Sequence, residues 1–220
     1  MKKLFLGIIF LASVNIFPAM TMAAVDVSVG LSIPLPPPVA FEAPPNVVVL
    51  PDTNSVYAAP SISVDLFFWN GFWWRPWEGR WYRSPYYDRG WVYYNSVPKF
   101  YFDVDPYWRG NYQNHNWHGH IWNYQQIPHS ELQRNWKGWQ SNRYWEKKKT
   151  WGVQGYTRKP PQQTQVLRQQ RQTLYQQRPE VQQHQQFLRQ QRQGQQRQEY
   201  EGGSHQHSQG HGEMGEEHRK

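Results

Sequence analysis

The apolar residues of this chain follow four different rhythms. Leu4 to Ile16 is a nearly unbroken apolar run. From Val25 to Pro45 the apolar side chains are spaced by proline (SIPLPPPVAFEAPP). From Val47 to about Tyr156, short aromatic and β-branched runs are cut by turn residues. From Pro160 to Glu199, single apolar residues stand isolated among Gln and Arg. Each rhythm predicts a different structure.

The third rhythm predicts strands. Val47 to Leu50 and Val56-Tyr57 flank the turn sequence PDTNS, which reads as a hairpin. Ser63 to Trp69 and Phe72 to Arg75 flank Asn70-Gly71. That dipeptide suits a type I′ turn, where both central residues need positive φ. Glu78-Gly79 precedes Arg80 to Arg83, and Asp88-Arg89-Gly90 precedes Trp91 to Tyr94. The pattern predicts a mainly β domain over residues 47–156, built on a small antiparallel β-meander of five to six strands. Phe67 and Trp69 share one face of their strand, and Leu66 and Phe68 the other. Both faces are apolar, so at least one must be covered or adhesive.

Val97 to Pro128 is punctuated by Val97-Pro98, Asp105-Pro106 and Ile127-Pro128. It predicts an irregular, aromatic-filled wrap over one sheet face. One helix is predicted at about 131–149, with Ser130 as N-cap and Gln133 completing a capping box. Leu132, Trp136, Trp139 and Arg143 fall on one side of it, and Trp145 falls elsewhere. It should lie packed across the meander. Lys147, Lys148 and Lys149 would suit the negative end of its dipole.

Residues 157–201 form a Gln/Arg-rich low-complexity segment. VLRQQRQ at 166–172 recurs as FLRQQRQ at 187–193. Leu167, Leu174, Val181 and Leu188 stand seven apart, but the second seam of a heptad (170/171, 177/178, 184/185) holds Gln, Arg or His. A coiled coil needs both seams, and Pro179 interrupts this one. The prediction is two frayed amphipathic helices, or disorder that orders on a partner. Residues 202–220 predict a disordered His/Gly tail.

The first two rhythms are not core. Lys2 and Lys3, the apolar run, and the small residues AMTMAA at 19–24 make the three-part pattern of a secretory signal peptide over residues 1–24. The apolar run is shorter than the roughly 20 residues that span a bilayer, so the mature chain should carry no transmembrane segment. Residues 25–46 predict an extended, polyproline-like arm. The chain should therefore be exported, to the periplasm or to the outer membrane and beyond.

Composition sharpens this. There is no cysteine, which excludes disulfides, thiol chemistry and a lipid anchor on Cys. The formal charge is +8, and loss of Lys2 and Lys3 leaves the chain basic. Outside the cytoplasm the available polyanions are lipopolysaccharide, phospholipid head groups, acidic polysaccharide and extracellular DNA, and export argues against other nucleic acid. All 13 Trp lie between Trp69 and Trp151. Trp and Tyr can supply a core, since each buries about 150–250 Å². They can also stack on sugar rings beside arginines that hold acidic groups. Trp73, Arg75, Trp77, Arg80, Trp81 and Arg83 are the candidate ligand-binding set. His115, His118 and His120 are the candidate metal ligands. Weak zinc, nickel or copper binding by these or by the tail histidines is the extent of expected cofactor chemistry.

Glu78, Asp88, Asp103, Asp105 and Glu131 are the carboxylates available for acid–base work, and Glu78 and Asp88 sit in turns. No nucleophile-elbow, zincin or phosphate-loop motif occurs. The run Gly71 to Ser84 (GFWWRPWEGRWYRS), Gly90-Trp91-Val92-Tyr93 and Ile127 to Trp136 resembles a group of uncharacterised exported proteins of Gram-negative bacteria. The resemblance spans about residues 45–150 and implies a shared fold and export, but brings no activity and no functional residue. The expected function is a non-catalytic exported envelope protein with a structural or interaction role, binding an envelope polymer or an envelope protein. The alternatives are a carbohydrate- or peptidoglycan-binding module and a His-based metal-handling periplasmic protein.

Overall fold

The computed structural model describes residues 33–148 and 151–208, with side chains as far as residue 197. The expected signal peptide, the start of the Pro-rich arm and residues 209–220 lie outside the described residues. From Pro34 onward the described residues form one compact unit.

Six short strands form one antiparallel sheet in sequential order: β1 (Val48–Val49), β2 (Tyr57–Ala58), β3 (Phe67–Trp69), β4 (Phe72–Trp77), β5 (Arg80–Ser84) and β6 (Val92–Tyr94). This is the expected meander. Its two tight hairpins are set by turn chemistry. Asn70 and Gly71 have φ of 51° and 81°, and Glu78 and Gly79 have 46° and 70°. Positive φ at both central residues matches the right-handed twist of the strands they join. Both turns are also pressed by helices. A Cβ on Gly71 would stand 2.8 Å from the Trp136 ring, and one on Gly79 would run into the Glu180 carbonyl oxygen.

Both faces of the sheet are covered, as their apolar alternation requires. On the first face Phe67, Trp74 and Trp81 meet the wrap of residues 97–128. That wrap consists of a 3-10 turn (Lys99–Asp103), α1 (Trp108–Gln113) and the two-stranded β7 (Asn116–Trp117) and β8 (His120–Ile121). Phe67 packs edge-on against Phe100 and Trp108, at 5.8 and 6.0 Å between ring centroids. Paired backbone hydrogen bonds between Val47 and Ile127 tie the end of the wrap to the start of the sheet.

On the second face Tyr57, Phe68 and Trp73 meet Leu132 and Trp145. The single predicted helix is two. α2 spans His129–Ser141 and α3 spans Tyr144–Lys147. Arg143 between them is left-handed, at φ 49°. At 100° per residue, an unbroken helix would turn Trp145 about 140° away from Leu132. The kink brings it back, buried, with its indole N–H donating to the Tyr57 hydroxyl at 3.0 Å. The N-cap also differs from expectation. Pro128 occupies it and its carbonyl accepts from the Glu131 and Leu132 amides, so Ser130 lies inside the first turn.

The Pro-rich arm closes the rest of the second face. Tyr82 donates to the Pro34 carbonyl at 2.5 Å, Arg75 donates to that of Pro37 at 2.7 Å, and Pro36 between them is buried. The Gln/Arg segment forms two helices, α4 (Pro161–Gln176) and α5 (Pro179–Ser208). Tyr175 and Val181, at their junction, enter the first-face core. α5 runs past residue 202, where the sequence suggested the tail would begin. Among the described residues no helix is long and apolar enough to cross a membrane.

Candidate functional site

The candidate ligand-binding set is divided by the sheet that carries it. Trp73 and Arg75 alternate onto the second face, while Trp81 and Arg83 point to the first. Trp73, Arg75 and Trp81 are buried, and Trp77 and Arg80 are half-buried. Arg75 is held against the arm, and burial lowers its pKa. Arg83 is exposed, yet its guanidinium lies over the rings of Phe72 and Tyr94 at 5.2 and 5.3 Å. The six residues do not make one surface. Packing claims the rings, because the domain has few Leu and Ile to fill its two cores.

The three candidate metal ligands each face a different partner. His118 Nε2 donates to Asp105 Oδ2 at 3.0 Å. His120 Nδ1 donates to the Gln154 carbonyl at 3.1 Å. His115 stacks on Tyr124 at 4.9 Å and is hydrogen-bonded with its hydroxyl. Among the described residues no group of three or more His, Cys, Asp or Glu converges as a metal ligand set. His115 and His118 both take left-handed backbone conformations, at φ 49° and 50°, and the three rings are held by separate partners.

The densest polar arrangement lies where α4 and α5 meet the β domain. Arg168 pairs with Asp103 at 2.6 Å. Arg171 donates to the Asp103 carbonyl at 2.9 Å and to Asp105 Oδ2 at 3.1 Å. Asp105 is the hub: only 8% of its side chain is exposed, and it also accepts from His118 and from the Tyr107 amide. One turn further on, the Trp81 indole N–H donates to the Tyr175 hydroxyl at 3.0 Å. Burial pushes the Tyr175 phenol up to about 12. Beyond the junction His184, almost fully buried, lies 3.1 Å from the Tyr93 hydroxyl through Nε2. Burial, and then the Arg80 charge, lower its pKa, so the ring is neutral near pH 7.

Sequence reasoning missed this joint. It treated Arg171, Arg178 and His184 as gaps in a heptad seam. The structure uses that seam as polar anchors: Arg171 on Asp105, Arg178 over the Tyr175 ring at 5.5 Å, and His184 on Tyr93. The available signal was charge spacing. Arg168 and Arg171 share a helix face at i, i+3, and Asp103 and Asp105 are the acids of the wrap. Leu174, in the apolar seam, instead faces solvent at 61% exposure.

Two of the other candidate carboxylates are engaged locally. Glu78 pairs with Arg80, and Asp88 with Arg89. What remains outward on the helices is cationic and amide-rich. Arg189 and Arg192 are exposed and have no ion pair among the described residues. No family model matches the chain, and no curated protein or solved structure is similar to it.

Proposed function

We propose that this chain is an exported, non-catalytic binding protein of the cell envelope, and that its contact surface is the outer side of the Gln/Arg-rich helices. The observation that supports this is a division of labour. The aromatic residues and Arg75 of β4 and β5 are largely taken up by packing, whereas Arg189 and Arg192 are exposed on α5 and have no ion pair among the described residues. A cation on such a helix gains from any nearby anionic surface, at about 1 kcal/mol each. The partner chemistry is therefore an anionic envelope polymer such as lipopolysaccharide. The signal-peptide pattern at the N-terminus supplies the compartment.

The test is binding of the full-length mature protein to lipopolysaccharide at rising salt. The double variant Arg189→Gln/Arg192→Gln should bind about thirtyfold more weakly, two cations being removed. It should also respond less to salt, because fewer charges remain to be screened. Equal binding by both proteins at every salt concentration would remove the helices as the contact surface. Truncation at residue 156 is a poor substitute, since it uncovers Trp81 and Tyr101.

A further inference from the structure

We propose that the sequence unit repeated in α4 and α5 is one anion-binding element present twice, and that its first copy is masked by two acids of the wrap. This rests on the reading that the helices contact an anionic envelope polymer.

The copies are VLRQQRQ at 166–172, within α4, and FLRQQRQ at 187–193, within α5. Arg168 corresponds to Arg189, and Arg171 to Arg192. Both pairs are spaced i, i+3, so each copy carries its two guanidinium groups on one side of its helix. Leu167 and its counterpart Leu188 are half-buried alike. The copies therefore agree in sequence, in helical form and in the burial of their leucine. They differ in what the arginines meet.

In the second copy Arg189 and Arg192 are exposed and have no ion pair among the described residues. In the first copy Arg168 reaches a single oxygen, Asp103 Oδ1, from Nε at 2.8 Å and from a terminal nitrogen at 2.6 Å. Arg171 donates to the Phe102 and Asp103 carbonyls at 3.3 and 2.9 Å and to Asp105 Oδ2 at 3.1 Å. A guanidinium takes an oxygen of a phosphate or a carboxylate through the same charge-assisted N–H···O bonds. Asp103 and Asp105 thus stand in for the oxygens of an anionic ligand.

The mask is graded. The Arg168 side chain is 49% exposed, and that of Arg171 only 16%. A pair open to solvent contributes little and exchanges readily, whereas breaking a buried pair from one side is costly. Arg168 is therefore the arginine that a ligand can take from its acid, while Arg171 keeps α4 docked. The exchange needs no opening of the sheet. It raises the cations offered by the two copies from Arg189 and Arg192 to those two with Arg168.

The probe is lipopolysaccharide, bound at low salt by the full-length mature protein. Arg189→Gln should weaken binding about fivefold, the effect of one cation at an anionic surface. Arg168→Gln should weaken it by less than about twofold, because its charge is already matched. Asp103→Asn should tighten binding about fivefold, and Arg168→Gln in that background should take the gain back. Asp88→Asn makes the same change of net charge, at a residue paired with Arg89, and corrects for it. The comparison of Arg168→Gln with Arg189→Gln leaves both acids intact, so it decides the matter even if Asp103→Asn disturbs the wrap. Equal losses for those two single variants would overturn the masking, as would a gain for Asp103→Asn no larger than that for Asp88→Asn. If Arg189→Gln binds like the parent, the helix-borne contact surface fails, and the masked copy with it.

Discussion

The two faces of the sheet are covered by helices of opposite character. α2 lies on the second face through Leu132, Trp136 and Trp139, an apolar stripe at helical spacing. α4 lies along the first face through Arg168, Arg171 and Tyr175, and α5 continues with Val181 and His184. One layer is held by the removal of oily surface from water. The other is held by ion pairs, by hydrogen bonds to carbonyls and by two apolar contacts at the junction. The first should be indifferent to salt, and the second should answer to both salt and pH.

The sharpest break of that comparison is on the apolar side. Leu132 is completely buried beneath α2. Leu132→Ala should cost about 2–5 kcal/mol of global stability, through lost transfer energy plus the cavity left behind. The measurement is denaturant unfolding followed by Trp fluorescence. The loss should be the same at low and high salt. A strong salt dependence would show that the second face is not held as described.

Arg171→Ala should come next in size and differ in kind. It strips the buried Asp105 carboxylate of its arginine and leaves His118 and the Tyr107 amide. Breaking a buried pair from one side costs about 3 kcal/mol. The loss should fall on docking of the helices, so hydrogen exchange should quicken in α4 and α5 while β3 to β5 keep their protection. Uniform loss of protection across the sheet would mean the helical layer and the β domain unfold as one unit.

Acid should loosen the same layer. Burial and the Arg80 charge hold the His184 pKa below its ordinary 6.5. The released helix therefore takes up a proton that the docked one refuses. Docking strength is fully present above about pH 6.5 and falls as pH drops through the depressed value. His184→Gln keeps a polar partner for Tyr93 and should flatten the pH dependence of α5 exchange. His129, where α2 begins, is also depressed, chiefly by burial, beside the Trp73 ring. The comparison is sharpened by following both helices: His184→Gln should leave the acid response of α2 untouched.

This contrast explains what could be read from the sequence. The meander was legible because strand runs, Asn70-Gly71 and Glu78-Gly79 all act locally. The covered faces followed from alternation at Leu66 to Trp69. The α2 stripe was legible because apolar spacing identifies a face without knowledge of its partner. The docking of α4 was not, since Gln and Arg at regular intervals read equally as a solvated helix. Only Asp103 and Asp105, about 65 residues away in sequence, turn Arg168 and Arg171 into anchors. The aromatic–arginine set failed as a single surface for a related reason. Adjacent residues on a strand point to opposite faces, so a motif contiguous in sequence is divided in space.

The smallest expected effect tests how α2 begins. A capping Ser130 would make Ser130→Ala cost about 1 kcal/mol. In the structure Pro128 holds the N-cap position, and no side chain caps the helix. Ser130 is one residue inside the first turn, where Ala is the better helix former. Ser130→Ala should therefore shift stability by less than about 0.5 kcal/mol, and in the stabilising direction if at all. The α2 boundary instead rests on the Pro128 carbonyl, which accepts from Glu131 and Leu132, and that interaction survives any change of side chain at 130. A measured loss near the full capping value would place the start of α2 at Ser130 instead of Pro128.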